Sequence, residues 1–318
     1  MIFHTIMFIA SCALLFWVGR GILEALGGVA RFLKLHEFVV AFFIMAFAAT
    51  LPNLFVGIIS AINDVPDLAF GDIVGGNLVD LTITIALAAL FSKRGLPADG
   101  KIVQTSSIFT IAIASLPVLL IWDDVLGRGD GLILVMSFFF YIFWLFSEKE
   151  RFNKVYDDDE NPADRKMLFF FKNIGKVFLG IILLLIASEG IIQSAVFFSV
   201  ELSINLMIVG ILITGTMNCL PEIFFSIHSA RRGEVSMLLG NLLGSIIIPA
   251  SLALGVVAII CPVQIVDSAP LIVAKVFLLI AALSFIFAVR TKNKVTKKEG
   301  FILLSIYLLF ILVELFLR

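Results

Sequence analysis

Gly240-Asn241-Leu242-Leu243-Gly244-Ser245-Ile246-Ile247-Ile248-Pro249 lies inside a run from 235 to 260 that carries no charged residue. A helix needs roughly 20 apolar residues to cross a hydrocarbon core of about 30 Å, and this run is long enough. Its residues are continuously apolar rather than alternating at period two, so it does not read as a barrel strand with one lipid face and one lumen face. Runs of the same kind recur along all 318 residues, of which 61% are hydrophobic, 32 are Phe and only 15% are charged. A soluble domain carries about 25% charged residues, so a water-soluble fold is excluded. The reading is an all-α integral membrane protein of about ten transmembrane helices. Expected spans are 3–28, 35–62, 69–92, 102–122, 129–147, 167–190, 200–230, 233–260, 269–289 and 300–317, which leaves nothing over for a large soluble domain.

Lys and Arg fall unevenly between the connections. Arg31 and Lys34, then Lys93, Arg94 and Lys101, then Lys149, Arg151, Lys154, Arg165, Lys166 and Lys172, then Arg231 and Arg232, then Arg290, Lys292, Lys294, Lys297 and Lys298 occupy one set, while the alternate set holds Arg128 and little else. Basic residues near helix ends stay in the cytoplasm, so both termini are expected outside. The stretch 148–166, with Asp157, Asp158, Asp159, Glu160 and Pro162, reads as a solvated cytoplasmic linker between a first transmembrane repeat, 1–147, and a second, 167–318. A regulatory cation site there is the alternative.

Sliding the chain against itself by 169 positions reveals the repeat. Leu51-Pro52-Asn53 then matches Leu220-Pro221-Glu222, Gly71 matches Gly240, and Gly75 matches Gly244. The helix carrying the first copy runs inside to outside and its partner the reverse, so the two five-helix repeats are inverted. Inverted repeats with broken helices at matched places point to a transporter whose site lies near the membrane midplane. A proline inside a helix frees a carbonyl, and in hydrocarbon that carbonyl needs a partner or a cavity. The competing reading is proline kinks and a glycine contact motif that serve packing alone.

Glu222 and Asp80 fall well inside the seventh and third spans, with no Lys or Arg positioned to pair with them. A charged residue near the bilayer centre costs roughly 2.5 to 3.5 kcal/mol on insertion scales, which calls for a function by default. A protonated Glu222 and an Asp80 that only caps a broken helix are the structural alternatives. Around them are Thr50, Asn53, Asn77, Thr216, Asn218, Asn241 and Ser245, the hydroxyl and amide oxygens that hard cations prefer.

These stretches closely resemble the two repeat motifs of the sodium/calcium exchanger (cation/calcium exchanger) superfamily, prokaryotic type, Gly-Thr-Ser-Leu-Pro-Glu followed by Gly-Asn-x-x-Gly-Ser-Asn-x-x-(Asn/Asp). The first copy here reads Ala48-Ala49-Thr50-Leu51-Pro52-Asn53, then Gly71-Asp72-Ile73-Val74-Gly75-Gly76-Asn77-Leu78-Val79-Asp80. The second reads Met217-Asn218-Cys219-Leu220-Pro221-Glu222, then the Gly240 to Pro249 stretch. The resemblance implies four central ligands at Asn53, Asp80, Glu222 and Pro249, with supporting positions at Ala46, Thr50, Gly76, Gly215, Cys219 and Ser245. Asn77 and Asn218 complete the candidate set. Two departures stand out: Asn53 lacks the usual carboxylate, and Pro249 has no side-chain oxygen.

The resemblance implies a secondary cation antiporter that exchanges calcium for sodium, or for protons, by alternating access. Asp80 and Glu222 bring a formal charge of about −2 if both ionise, and two like charges at close range resist ionising together, which opens a route to proton coupling. Rival readings are an antiporter of another cation and a homologue that binds cations or regulates without transport. Expected partners are inorganic cations and the lipid bilayer, with no covalent cofactor, nucleic acid or obligate protein partner.

An enzyme is not indicated, since His4, His36 and His228 lack a nucleophile or metal-ligand spacing. Cys12, Cys219 and Cys261 read as small hydrophobes without a disulfide framework. Only His4 precedes the first apolar run, so that run reads as a retained helix rather than a signal peptide. A prokaryotic inner membrane is expected, with an organelle membrane as the alternative. Asp72 is expected to open the third helix and satisfy its free backbone donors. Glu189 and Glu201 read as interfacial carboxylates, with a cation-attracting vestibule as the alternative.

Overall fold

The computed structural model describes residues 1–32, 46–93, 95–98, 101–147, 163–265 and 268–316. The expected linker and the start of the second span lie largely outside the described residues. Helices α1 (Ile2–Phe32), α2 (Ala46–Ile62), α3 (Pro66–Phe91), α4 (Lys101–Leu120) and α5 (Arg128–Ser147) precede the linker. Helices α6 (Ala163–Glu201), α7 (Leu206–Arg232), α8 (235–260), α9 (Ser268–Lys292) and α10 (Lys297–Phe316) follow it. Eight stretches among the described residues are long and apolar enough to cross a membrane, and Thr50–Ile62 is a shorter apolar helix. The protein is an integral membrane protein.

Burial sorts the helices. The most apolar window of α3 is 83% buried and that of α8 is 78% buried, whereas those of α1 and α5 are 28% buried. Phe139, Phe140 and Phe143 on α5 are exposed, as lipid-facing side chains are. The polar residues of the glycine-rich half of each motif, Asp72, Asn77 and Asp80 on α3 and Asn241 and Ser245 on α8, therefore sit on the two most buried of these windows. Two antiparallel strand pairs tie helix ends together: β1 (Leu96–Pro97) pairs with β4 (Lys294–Val295), and β2 (Val125–Leu126) with β3 (Val263–Gln264).

Helices α3 and α7 touch backbone to backbone. A methyl group added at Gly71 would run into the Met207 carbonyl oxygen, and one at Gly75 into that of Ile211. From the other side, a methyl at Gly215 would meet the Asp72 carbonyl at 2.8 Å. Small residues permit this approach, as they do between membrane helices generally. The close crossing brings residues of the two motifs within hydrogen-bond distance.

Three helices widen locally into π-helical turns, at Asp80–Thr84, Gly210–Thr214 and Pro249–Ala253. Such turns release backbone groups and cluster at functional sites. Pro52 lies within continuous α2, whereas α7 breaks at Cys219 just ahead of Pro221. The two Leu-Pro segments therefore differ in local shape.

Some boundaries differ from the sequence reading. Helix α6 runs on to Glu201 instead of ending near 190, because 190–201 holds no proline and Gly190 lies tightly against Ser11 of α1. The break comes at 202–205, where Ser203 takes a left-handed backbone and the Asn205 side chain accepts from the Met207 amide at 2.9 Å. Helix α3 starts at Pro66 rather than 69, a favoured first-turn position for proline.

Candidate cation site

Asp80 opens the π-turn of α3 and is 2% exposed. One carboxylate oxygen accepts from the Ser245 hydroxyl of α8 at 2.8 Å, the other from Thr84 at 3.0 Å. Ser245 also donates toward the Leu242 carbonyl at 2.9 Å, so its proton is shared between two acceptors. Glu222, in the first turn of the second segment of α7, is 3% exposed, and its Oε2 has no hydrogen-bond partner among the described residues. Asp80 and Glu222 lie within electrostatic reach of each other.

The remaining sequence-predicted residues surround this pair unevenly. Thr50 and Asn53 are buried on α2, and Thr50 donates to the Phe47 carbonyl at 3.0 Å. Asn77 is buried on α3. The Cys219 thiol donates to the Gly76 carbonyl at 3.3 Å and stands within electrostatic reach of Asp80, Glu222 and Asp72. Ala46, Gly76, Gly215 and Pro249 bring only backbone oxygens, and Pro249 begins the π-turn that matches Asp80 in position. No group of three or more His, Cys, Asp or Glu side chains is arranged to hold a metal among the described residues. A cation here would draw most of its oxygens from amides, hydroxyls and carbonyls, a set that suits sodium or calcium.

A cavity of about 550 Å³ is lined by Asn218, Glu222 and Asn241 and also by Arg20, Glu24 and His228. Cys12, Leu15, Phe16, Pro52, Phe224 and Phe225 form much of its apolar wall. Arg20 and Glu24 form an exposed ion pair at 3.2 Å, one turn apart on α1. Most of the lining comes from α1 and α7.

Asp72 corrects the sequence reading. It lies in the interior of α3, seven positions into the helix, is 1% exposed, and accepts from Asn218 Nδ2 at 2.8 and 3.0 Å. It caps nothing. The signal available in the sequence was the acid at a position where the resembled motif has Asn. Glu189 accepts from Asn63 at 2.9 Å and Gln193 at 2.8 Å, so it joins α2 to α6, while Glu201 is exposed at the end of α6.

The sequence model of the family described as sodium/calcium exchanger protein matches residues 3–147 and again 172–316. The chain belongs to this family. Among exchanger relatives, sodium/calcium exchanger MaX1 of Methanosarcina acetivorans is 22% identical over 318 residues, covering 90% of this chain and 91% of that protein. The putative antiporter CaxA of Alkalimonas amylolytica is 24% identical over 281 residues, covering 85% and 84%. The solved structure of the sodium-calcium exchanger NCX_Mj, soaked with Na⁺ and Sr²⁺, superposes with a TM-score of 0.66 at 20% identity over 98% of both chains. The exchanger fold therefore covers the whole membrane bundle.

Proposed function

We propose that this exchanger-family chain is a secondary active antiporter that moves calcium against sodium, or against protons, by alternating access around Asp80 and Glu222. The observation that carries the reading is Glu222: a buried carboxylate with an oxygen unpartnered among the described residues, within electrostatic reach of Asp80 and lining a cavity of about 550 Å³. An uncompensated buried charge is costly, and a bound cation removes that cost. Asn53, Thr50, Asn77, Asn218, Cys219 and Ser245, with the carbonyls of Ala46, Gly76, Gly215 and Pro249, are proposed to complete the oxygen and sulfur lining.

The proposed architecture is ten membrane helices in two inverted repeats, 1–147 and 167–318, joined by a cytoplasmic linker. Two features support it: the family matches the chain twice, and the π-turns Asp80–Thr84 and Pro249–Ala253 lie 169 positions apart. Both termini are proposed outside, from the basic connections.

Purified protein in liposomes, loaded with sodium or set to an acid interior, should take up calcium down the imposed exchange gradient. Glu222→Gln should lower the rate to that of empty liposomes. Uptake that Glu222→Gln leaves intact would refute the assignment. A non-transporting homologue is favoured by one observation, Pro249 in place of an acid, and would bind calcium without flux.

A further inference from the structure

We propose that Tyr307 of α10 is a positioning residue of the cation site, which holds the broken segment of α7 in register with Asp80; the inference rests on the antiporter reading above. The Tyr307 hydroxyl oxygen lies 3.0 Å from that of Thr216, and either can donate. Thr216 stands three positions before the break at Cys219 and six before Glu222. A helical threonine commonly turns its hydroxyl back to a carbonyl one turn earlier, as Thr214 does toward Gly210 at 3.0 Å. Thr216 instead reaches out of its helix to α10.

The far end of that bond is firmly seated. Tyr307 is 5% exposed, its ring packs on Phe310 with 5.9 Å between centroids, and Phe310 packs on Phe277 of α9 at 5.5 Å. Tyrosine combines an apolar body with a polar tip, so the ring sits in the core while the hydroxyl addresses α7. Helix α10 also lies along the second half of α3, including the π-turn that Asp80 opens. A methyl added at Gly300 would meet the Ala86 carbonyl at 3.2 Å, so the two helices are close there. One helix thus touches the turn that carries Asp80 and, through Tyr307, the segment that leads to Glu222. Cys219, at the break itself, is within electrostatic reach of Tyr307.

The matched positions of the first repeat show what the hydroxyls add. A shift of 169 places Phe138 opposite Tyr307 and Phe47 opposite Thr216. Phe47 packs against the buried cluster that Phe138 and Ile248 form, so the corresponding side chains there share apolar surface. The polar version belongs to the helix whose Leu-Pro segment keeps an acid, Glu222, and the apolar version to the one that ends in neutral Asn53. Apolar contact is non-directional, whereas a hydrogen bond between two packed helices fixes distance and angle. The bond therefore sets where the break of α7 falls, and with it the placing of Glu222 relative to Asp80.

The test is binding of radiolabelled calcium to the purified full-length protein, with calcium uptake in liposomes measured alongside. Tyr307→Phe removes only the hydroxyl and should raise the half-saturating calcium concentration about fivefold in both assays, the scale of one hydrogen bond between membrane helices, while the maximal uptake rate falls less than about twofold. Thr216→Val should do the same, Thr216→Ser should stay within about twofold of the parent, and the double variant Tyr307→Phe/Thr216→Val should bind no more weakly than either single variant. Losses that multiply in the double variant, or an unchanged affinity in Tyr307→Phe, would overturn the proposal. A Tyr307→Phe protein that loses maximal rate alone would overturn it too. If Tyr307→Phe does not fold, the Thr216 variants decide, and equal affinity in Thr216→Val and Thr216→Ser overturns it. A parent protein that binds calcium but moves none would refute the antiporter reading alone, and the binding comparison would still decide the role of Tyr307.

Discussion

The two copies of the motif hold their acids on different helices. In the first copy the Leu-Pro helix ends its motif in neutral Asn53, and the glycine-rich helix carries Asp72 and Asp80; in the second the Leu-Pro segment keeps Glu222, and the glycine-rich helix has Asn241 and Pro249. The result is that the three buried acids of these motifs all sit on α3 and α7, while α2 and α8 bring amides and hydroxyls. The close backbone crossing at Gly71, Gly75 and Gly215 is what allows an acid on α3 to meet residues of α7. The two copies of the motif are therefore lopsided in charge.

The crossing itself gives the largest expected effect. Gly75→Ala would push a methyl into the Ile211 carbonyl, whereas Gly240, at the position matching Gly71, has no described atom within 4 Å of an added methyl. Overpacking costs roughly 1 to 3 kcal/mol or more, so Gly75→Ala should sharply lower the thermal unfolding temperature and Gly240→Ala should not. Equal losses in both variants would remove the asymmetry.

Next comes Asp80. Asp80→Asn should cut calcium-dependent flux roughly 100-fold, and Ser245→Ala about 10-fold, since one hydrogen bond to a charged group is worth about 1.5 to 3 kcal/mol. A larger loss in Ser245→Ala than in Asp80→Asn would mean that the serine binds the ion and the acid does not.

Restoring the missing acid sharpens the comparison from the other side. Asn53→Glu adds a carboxylate to α2 and should tighten calcium binding about 10-fold, on the scale of a modest electrostatic gain. Unchanged or weaker binding, read by calorimetry, would indicate that α2 does not face the ion.

The smallest effect concerns orientation. Burial and the neighbouring Asp64 carboxylate, 3.9 Å from its sulfur, hold the Cys261 thiol above its ordinary pKa. The thiolate is the reactive form, so membrane-impermeant maleimide added outside should label Cys261 slowly at neutral pH and faster above about pH 9. Labelling only from the cytoplasmic side would reverse the proposed topology.

Much of this was legible in the sequence because membrane spans and matched motifs are local or periodic signals. Gly240 to Pro249 reveals a span, and its match to Gly71 to Asp80 reveals a repeat. Asp72 escaped for two physical reasons. Proline at 66 moved the helix start three residues upstream, and the partner Asn218 lies 146 positions away, where only the folded crossing of α3 and α7 brings it near. The end of α6 was also missed, since the packing of Gly190 against Ser11 of α1 is a contact between residues far apart in sequence.

The most direct test sets the charged and neutral ends of the two Leu-Pro motifs against each other in one calcium-uptake assay under a sodium gradient, or a proton gradient if that drives the parent protein. Glu222→Gln should fall at least 100-fold and Asn53→Ala no more than about 10-fold, in keeping with loss of a charged ligand against a neutral one. Comparable uptake in Glu222→Gln and the parent would contradict the claim that the acids on α3 and α7 form the site.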